Sequence, residues 1–468
     1  MARKDRQLRA TAALLVRPPA TMHDRGPKTA DATNMFPAQL IAALLIVTTP
    51  AILVFDGPII QGLVIAATAI SVALVAFRMR AGEADFLSSV IRPMAVVAVI
   101  PALWMVIQIL PLKTVGLANP VWESAALALG RPLAGSISID PGMTLLSLAK
   151  YLSATGIAFV AAAVAIDRHR AGWIFFALTV ATTIISVMVL MAHLNDFTLL
   201  RNSASVLGGD AASDCAALGV NLAVAAAIGV FERGKKRATD QGGSTSWFGW
   251  TFLACIAAVA VCTTAVFIGS ASQTCFAVIC GVTIFAIAIS IRQLGLGPWG
   301  ISAIVSVATV VAITTIAISL GNRSEDLTLT FASHATAPLI SVTRHALTET
   351  SWTGTGAGTF AAVLPIYRDI NEVSAGLIAP TDAAAIAVEL GRPILWGILA
   401  AAVALAITLL RGALQRGRDA FYPIAGASSI VAATILAFGN AALFSTPVLI
   451  IVASIVGIAI AQSKSRSI

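Results

Sequence analysis

The chain has 468 residues, 58% hydrophobic and only 11% charged, with a formal net charge of +8. An ordinary soluble protein is roughly 45–50% apolar and about 25% charged, so a soluble globular enzyme is excluded and a polytopic membrane protein is implied. The 35 Gly and 19 Pro, beside three Tyr, suit transmembrane helices better than the alternating strands of an outer-membrane barrel.

In chain order, residues 1–34 carry Arg3, Lys4, Arg6, Arg9, Arg17, Arg25 and Lys28. They lack the apolar core and small-residue cleavage site of a secretory signal peptide, and read as a disordered basic tail kept in the cytoplasm. Apolar runs follow at 35–55, 58–77, 93–111, 143–166, 172–193, 212–231, 247–268, 274–291, 299–320, 393–410, 421–443 and 446–462. A crossing needs about 20 residues, so the expected fold is an all-α integral membrane protein with about 12 transmembrane helices. Helices 1–9 occupy 35–320, one long periplasmic loop occupies 321–392 between helices 9 and 10, and helices 10–12 occupy 393–462. A short cytoplasmic tail, 463–468, follows.

Charge orients this arrangement. With the N-terminus inside, Arg78, Arg80, Arg92, Arg233, Lys235, Lys236, Arg237, Arg416 and Arg418 fall on the same side as the basic tail, as the positive-inside bias requires. These stretches point to membrane lipids and topology, with no nucleic-acid partner. Cys215, Cys255, Cys262, Cys275 and Cys280 lie in apolar segments without a CxxC pair or a nearby His, so no metal site is expected and they read as small hydrophobes.

Two outward segments are long, 112–142 and 321–392. In the second, Trp352-Thr353-Gly354-Thr355-Gly356-Ala357-Gly358-Thr359-Phe360 places three glycines at spacing two, before Pro365, Tyr367 and Arg368. A tight turn is implied. The strand, helix opening and distant acid of a dinucleotide fingerprint are missing. The turn either presents backbone N–H groups to an anion such as phosphate or packs closely between two loop helices. From Thr381-Asp382 to Glu389-Leu390-Gly391 the chain reads as a short helix closed by glycine and leading into the next span.

These features together resemble the O-antigen ligase and O-antigen polymerase superfamily. The residues that carry the resemblance are Asn119-Pro120-Val121-Trp122, Gly135-Ser136-Ile137-Ser138-Ile139-Asp140-Pro141, the Gly354–Phe360 turn, Pro365-Ile366-Tyr367-Arg368 and Glu389-Leu390-Gly391. The resemblance covers roughly 115–450. It implies a cofactor-free glycosyltransferase in the bacterial inner membrane, multi-pass with both termini cytoplasmic, acting in lipopolysaccharide or exopolysaccharide biosynthesis. Such an enzyme moves a glycan from an undecaprenyl diphosphate carrier to a glycan or lipid A core acceptor, alongside polysaccharide export partners. Ala379-Pro380-Thr381-Asp382 stands where the family usually has a His-Asn-Asp-like run, so Pro380 takes the His position. Gly269-Ser270-Ala271-Ser272-Gln273-Thr274 stands, without arginine, where the family has a Ser-Arg-Gly-like motif.

The chemistry needs cations for the leaving diphosphate and a base for the acceptor hydroxyl. Arg368, Arg201 and Arg344 are the candidate diphosphate contacts, because a guanidinium offers paired donors to phosphate oxygens. Asp382, Glu389 and His345 are the candidate catalytic bases, with His334 the other loop histidine. Asp382 and Glu389 lie two helical turns apart and are expected to share a face. Asp214 and Lys150 sit near the outer ends of spans, where Asp214 is a candidate to orient an arginine. The alternatives are a catalytically impaired relative that binds or assembles a polysaccharide machine, and a transporter or flippase.

Overall fold

The structure, a computed structural model, describes residues 36–79, 81–111, 116–194, 207, 209–241, 246–269, 272–294, 328–332, 335–367, 378–416 and 419–464. The expected ninth span, 299–320, and both ends of the chain lie outside the described residues. Among the described residues there is no strand, only an isolated bridge between Pro111 and Ser136.

The helices are α1 (Phe36–Val47), α2 (Thr49–Val54), α3 (Pro58–Arg78), α4 (Ala81–Ile109), α5 (Val121–Leu129), α6 (Pro141–Val164), α7 (Arg168–His193) and α8 (Asp210–Gln241). There follow α9 (Ser246–Gly269), α10 (Ser272–Leu294), α11 (Ala337–Glu349), α12 (Phe360–Val363), α13 (Asp382–Glu389), α14 (Arg392–Gln415), α15 (Phe421–Gly439) and α16 (Thr446–Ala461). Among the described residues nine helices are long and apolar enough to cross a membrane: α3, α4, α6 to α10, α14 and α15. Shorter apolar helices, within α1 and at α16, accompany them. The protein is an all-α, multi-pass membrane protein.

Two boundaries differ from the sequence expectation for identifiable reasons. The run 35–55 is two helices, because Pro50 has no N–H to continue the ladder; the Thr48 hydroxyl bonds back to Leu44 O at 2.8 Å beside the break. The run 93–111 extends back to Ala81, a turn region that Glu83, Asp85 and Arg92 make too polar for a hydropathy window. Pro93 lies inside this helix and leaves the carbonyl of Ser89 without its usual partner. The Lys464 ammonium donates to that carbonyl at 3.2 Å.

Helices α7, α8, α15 and α16 form the centre of the bundle, packed through Ile174, Leu178, Ile185, Leu218, Leu222, Leu436, Ile451 and Ile455. Small residues let the backbones approach, as membrane interfaces require. At Gly457 in α16 a Cβ would come within 2.2 Å of the Ala158 carbonyl of α6. Phe77, Ile59, Leu63, Phe267 and Ile279 point outward and are largely exposed, the pattern of a surface solvated by lipid. A second apolar core, outside the bundle, gathers Leu339, Val342, Phe360, Val363, Leu364, Ala384 and Val388 with Met105, Leu148 and Leu395. It seats α11, α12 and α13 on the ends of α4, α6 and α14, and so positions the glycine turn.

Candidate functional site

The glycine turn is a backbone clasp around the end of α13. Gly354, Gly356 and Gly358 have φ of 78°, 109° and 77°, values that L side chains rarely adopt. Space also demands glycine: a Cβ would meet Glu389 O at 2.2 Å from Gly354, Ser138 Oγ at 2.3 Å from Gly356 and Ser147 Oγ at 2.3 Å from Gly358. Gly391, at φ 93°, has its Cβ position 2.1 Å from the Trp352 carbonyl. The two glycine segments therefore lie directly against each other.

A helix end leaves its last carbonyls without partners, and here the tertiary structure supplies them. Thr355 N donates to Val388 O at 3.0 Å and Gly356 N to Glu389 O at 2.9 Å. Gln108 Nε2 donates to Glu389 O at 2.9 Å and to Thr353 O at 3.0 Å. Trp104 Nε1 donates to Leu390 O at 3.0 Å. Gln108 is fully buried, and its Oε1 accepts from Ala357 N at 3.2 Å. Ile139 N donates to Thr355 O at 2.9 Å, which ties the segment before α6 to the same turn.

The anion that the turn binds is the protein's own. Glu389 Oε2 accepts from Gly358 N at 2.7 Å and Oε1 from Phe360 N at 3.0 Å. Burial pushes this carboxylate up to about 7, against the pull of the two N–H bonds. The turn is thus the close-packed one of the two expected forms, with the Gly358 and Phe360 N–H groups turned to Glu389.

Asp382 stands at the other end of α13. The helix cap is Thr381, whose Oγ1 accepts from Ala384 N at 3.1 Å and donates to Thr328 O at 2.7 Å. Asp382 is thereby free of a capping role and is 4% exposed. Its Oδ2 accepts from Leu443 N at 2.7 Å, and its N–H donates to Asn440 O at 2.9 Å. Burial pushes Asp382 up to about 7; the Leu443 bond opposes this, and the charges of Glu389 and Asp210 add to it. Asp214 is fully buried and accepts from Asn440 Nδ2 at 2.9 Å. Asn440 thus bonds the Asp214 carboxylate through its side chain and the Asp382 backbone N–H through its carbonyl.

The expected residues divide into groups. Asp382 and Glu389 are brought to one short helix, but one engages the turn after α15 and the other the glycine turn. His345 and Arg344 lie on α11, both exposed. The His345 ring bonds Glu349 Oε1 at 2.9 Å and packs edge-on to Tyr367 at 5.5 Å. Arg201, His334 and Arg368 lie outside the described residues. Pro380 is buried beside the cap of α13. Gln108, Trp104 and Asn440 were not singled out from the sequence; Gln108 gave a signal, as an amide near the end of an apolar run. Among the described residues no three His, Cys, Asp or Glu are grouped to hold a metal ion. Comparison with known families and curated proteins finds no matching family model and no similar curated protein.

Proposed function

We propose that the protein is a glycan transferase of the O-antigen ligase and polymerase type. It takes a glycan from a polyprenyl diphosphate carrier at the membrane face that bears the glycine turn and transfers it to a sugar acceptor, in surface polysaccharide synthesis at the bacterial inner membrane. The observation that carries this reading is Asp382: a carboxylate that burial pushes up to about 7, held on a helix whose other end is locked by the glycine turn. A general base works best when its pKa lies near the operating pH. Glu389 is less suited, because both its oxygens already accept backbone N–H groups.

In the reaction the acceptor hydroxyl oxygen bonds to the anomeric carbon as the bond from that carbon to the diphosphate oxygen breaks. The hydroxyl proton passes to Asp382, and the polyprenyl diphosphate leaves with the bonding electron pair. Arg368, with Arg201 or Arg344, is assigned to the diphosphate charge. The glycine turn holds the position of α13 and does not itself contact phosphate.

A second reading has a specific observation in its favour. The turn's donors are satisfied internally by Glu389 and Gln108, an arrangement that also suits a non-catalytic relative that binds the carrier-linked glycan or an assembly partner. Deleting the gene and complementing with wild type, Asp382→Asn or Arg368→Ala separates the readings. Loss of long or lipid-attached surface glycan in the deletion and both variants is the transferase result. Rescue by both variants favours the assembly component, and unaltered glycan in the deletion refutes both.

A further inference from the structure

At the end of the bundle opposite the glycine turn, two arginines share a single carboxylate, three residues after a third, Arg416. Arg168 opens α7, Arg233 lies near the end of the crossing part of α8, and Arg416 follows α14. Asp419, in the connection to α15, places its Oδ2 3.6 Å from Arg168 Nη1 and its Oδ1 3.5 Å from Arg233 Nη2. Asp419 has φ 57°, a left-handed conformation that, apart from Gly, Asn and Asp, residues rarely adopt. The fold holds it there, between the two guanidiniums.

Arg233 is fixed in orientation. Its guanidinium lies 5.4 Å above the Phe421 ring, and Nη2 donates to the Tyr422 hydroxyl at 3.2 Å. Arg416 is held through Nη1 by the Gln462 backbone carbonyl and side-chain Oε1, while its buried Nε has no partner among the described residues. Both contacts to Asp419 are longer than the roughly 2.7–2.9 Å of a charge-assisted hydrogen bond, so one carboxylate is shared and does not saturate the cluster. The Arg168 and Arg233 side chains remain 53% and 54% exposed. All three arginines sit where crossing helices begin or end, the level at which a bilayer presents its phosphates.

We propose that Arg168 and Arg233, on either side of Asp419, form a binding site for a phosphate group, supplied by the headgroup of an anionic phospholipid. Guanidiniums recognise phosphate oxygens through paired donors. The stacking on Phe421 and the bond to Tyr422 set the plane of Arg233 before the ligand arrives. The site is independent of the transferase reading.

The test is native mass spectrometry of the full chain in detergent, titrated separately with phosphatidylglycerol, phosphatidylcholine and inorganic phosphate. Phosphatidylglycerol is expected to bind more tightly than phosphatidylcholine. Each charge near a membrane surface changes affinity by about five-fold, so Arg168→Gln and Arg233→Gln should each weaken phosphatidylglycerol binding by about that factor. Asp419→Asn should strengthen it, because it removes the competing carboxylate while asparagine tolerates the left-handed φ. A folding defect would weaken all three variants, so the opposite sign at Asp419 keeps the test decisive. Equal affinity in wild type and variants, or weaker binding by Asp419→Asn, overturns the site. Saturation by inorganic phosphate with no preference for phosphatidylglycerol overturns the lipid assignment and makes the ligand a soluble phosphate.

Discussion

Replacing Asp382 with asparagine should stabilise the protein and abolish its activity. The side chain is 4% exposed, and burial raises its pKa from 3.8 to about 7. Each tenfold change in proton affinity is worth about 1.4 kcal/mol, so carrying the ionised carboxylate at pH 8 costs the fold on the order of 4 kcal/mol. The sign follows from linkage: the folded state binds the proton more tightly than the unfolded chain. The stability this contributes is complete below about pH 4 and is lost as pH rises through about 7. Asparagine keeps an oxygen to accept from Leu443 N and removes the charge. Thermal melting in detergent, followed by intrinsic fluorescence from pH 5 to pH 8.5, should show Asp382→Asn gaining over wild type as pH rises. A difference that does not change with pH, or a variant less stable than wild type at pH 8, would refute the reasoning.

Further predictions concern the clasp. Gly356→Ala combines a left-handed φ with a Cβ 2.3 Å from Ser138 Oγ and should cost about 3 kcal/mol or more. Gly397→Ala, where nothing lies within 4 Å in α14, should be neutral or stabilising by up to about 1 kcal/mol; melting of the two variants side by side checks both. Gln108→Ala removes donors from Thr353 O and Glu389 O and the acceptor for Ala357 N. Each group left buried without a partner costs about 1–3 kcal/mol, and hydrogen exchange should rise in the 353–360 segment while α8 stays protected. If exchange there is unaltered, Gln108 does not hold the turn.

The membrane architecture was legible because a crossing helix is a composition signal twenty residues long, and the apolar runs after 140 match α6 to α10 and α14 to within a few residues at most ends. The short helix before α14 was legible from Thr381 and Gly391, one a cap and the other a left-handed closure. The three glycines announced a tight turn for the same local reason. What the turn encloses was hidden, because its partners are remote in sequence: Glu389 lies some thirty residues from Gly358, and Gln108 lies in another span. A hydrogen bond between such positions leaves no periodicity. The extension of α4 back to Ala81 was masked by charges that a hydropathy window penalises, although a helix can leave the bilayer and continue. Asn440 gave no warning, since an asparagine after a helix reads as a cap until the buried Asp214 and Asp382 are seen on either side of it.

The transferase reading is tested most directly with purified protein, a polyprenyl diphosphate-linked glycan and a sugar acceptor, measuring polyprenyl diphosphate released as the acceptor is extended. Wild type should release it in step with acceptor extension, at a rate that rises with pH through about 7 as Asp382 ionises, and a folded Asp382→Asn protein should release none. Undiminished release by Asp382→Asn, or no release by wild type with carrier and acceptor both supplied, would contradict the account.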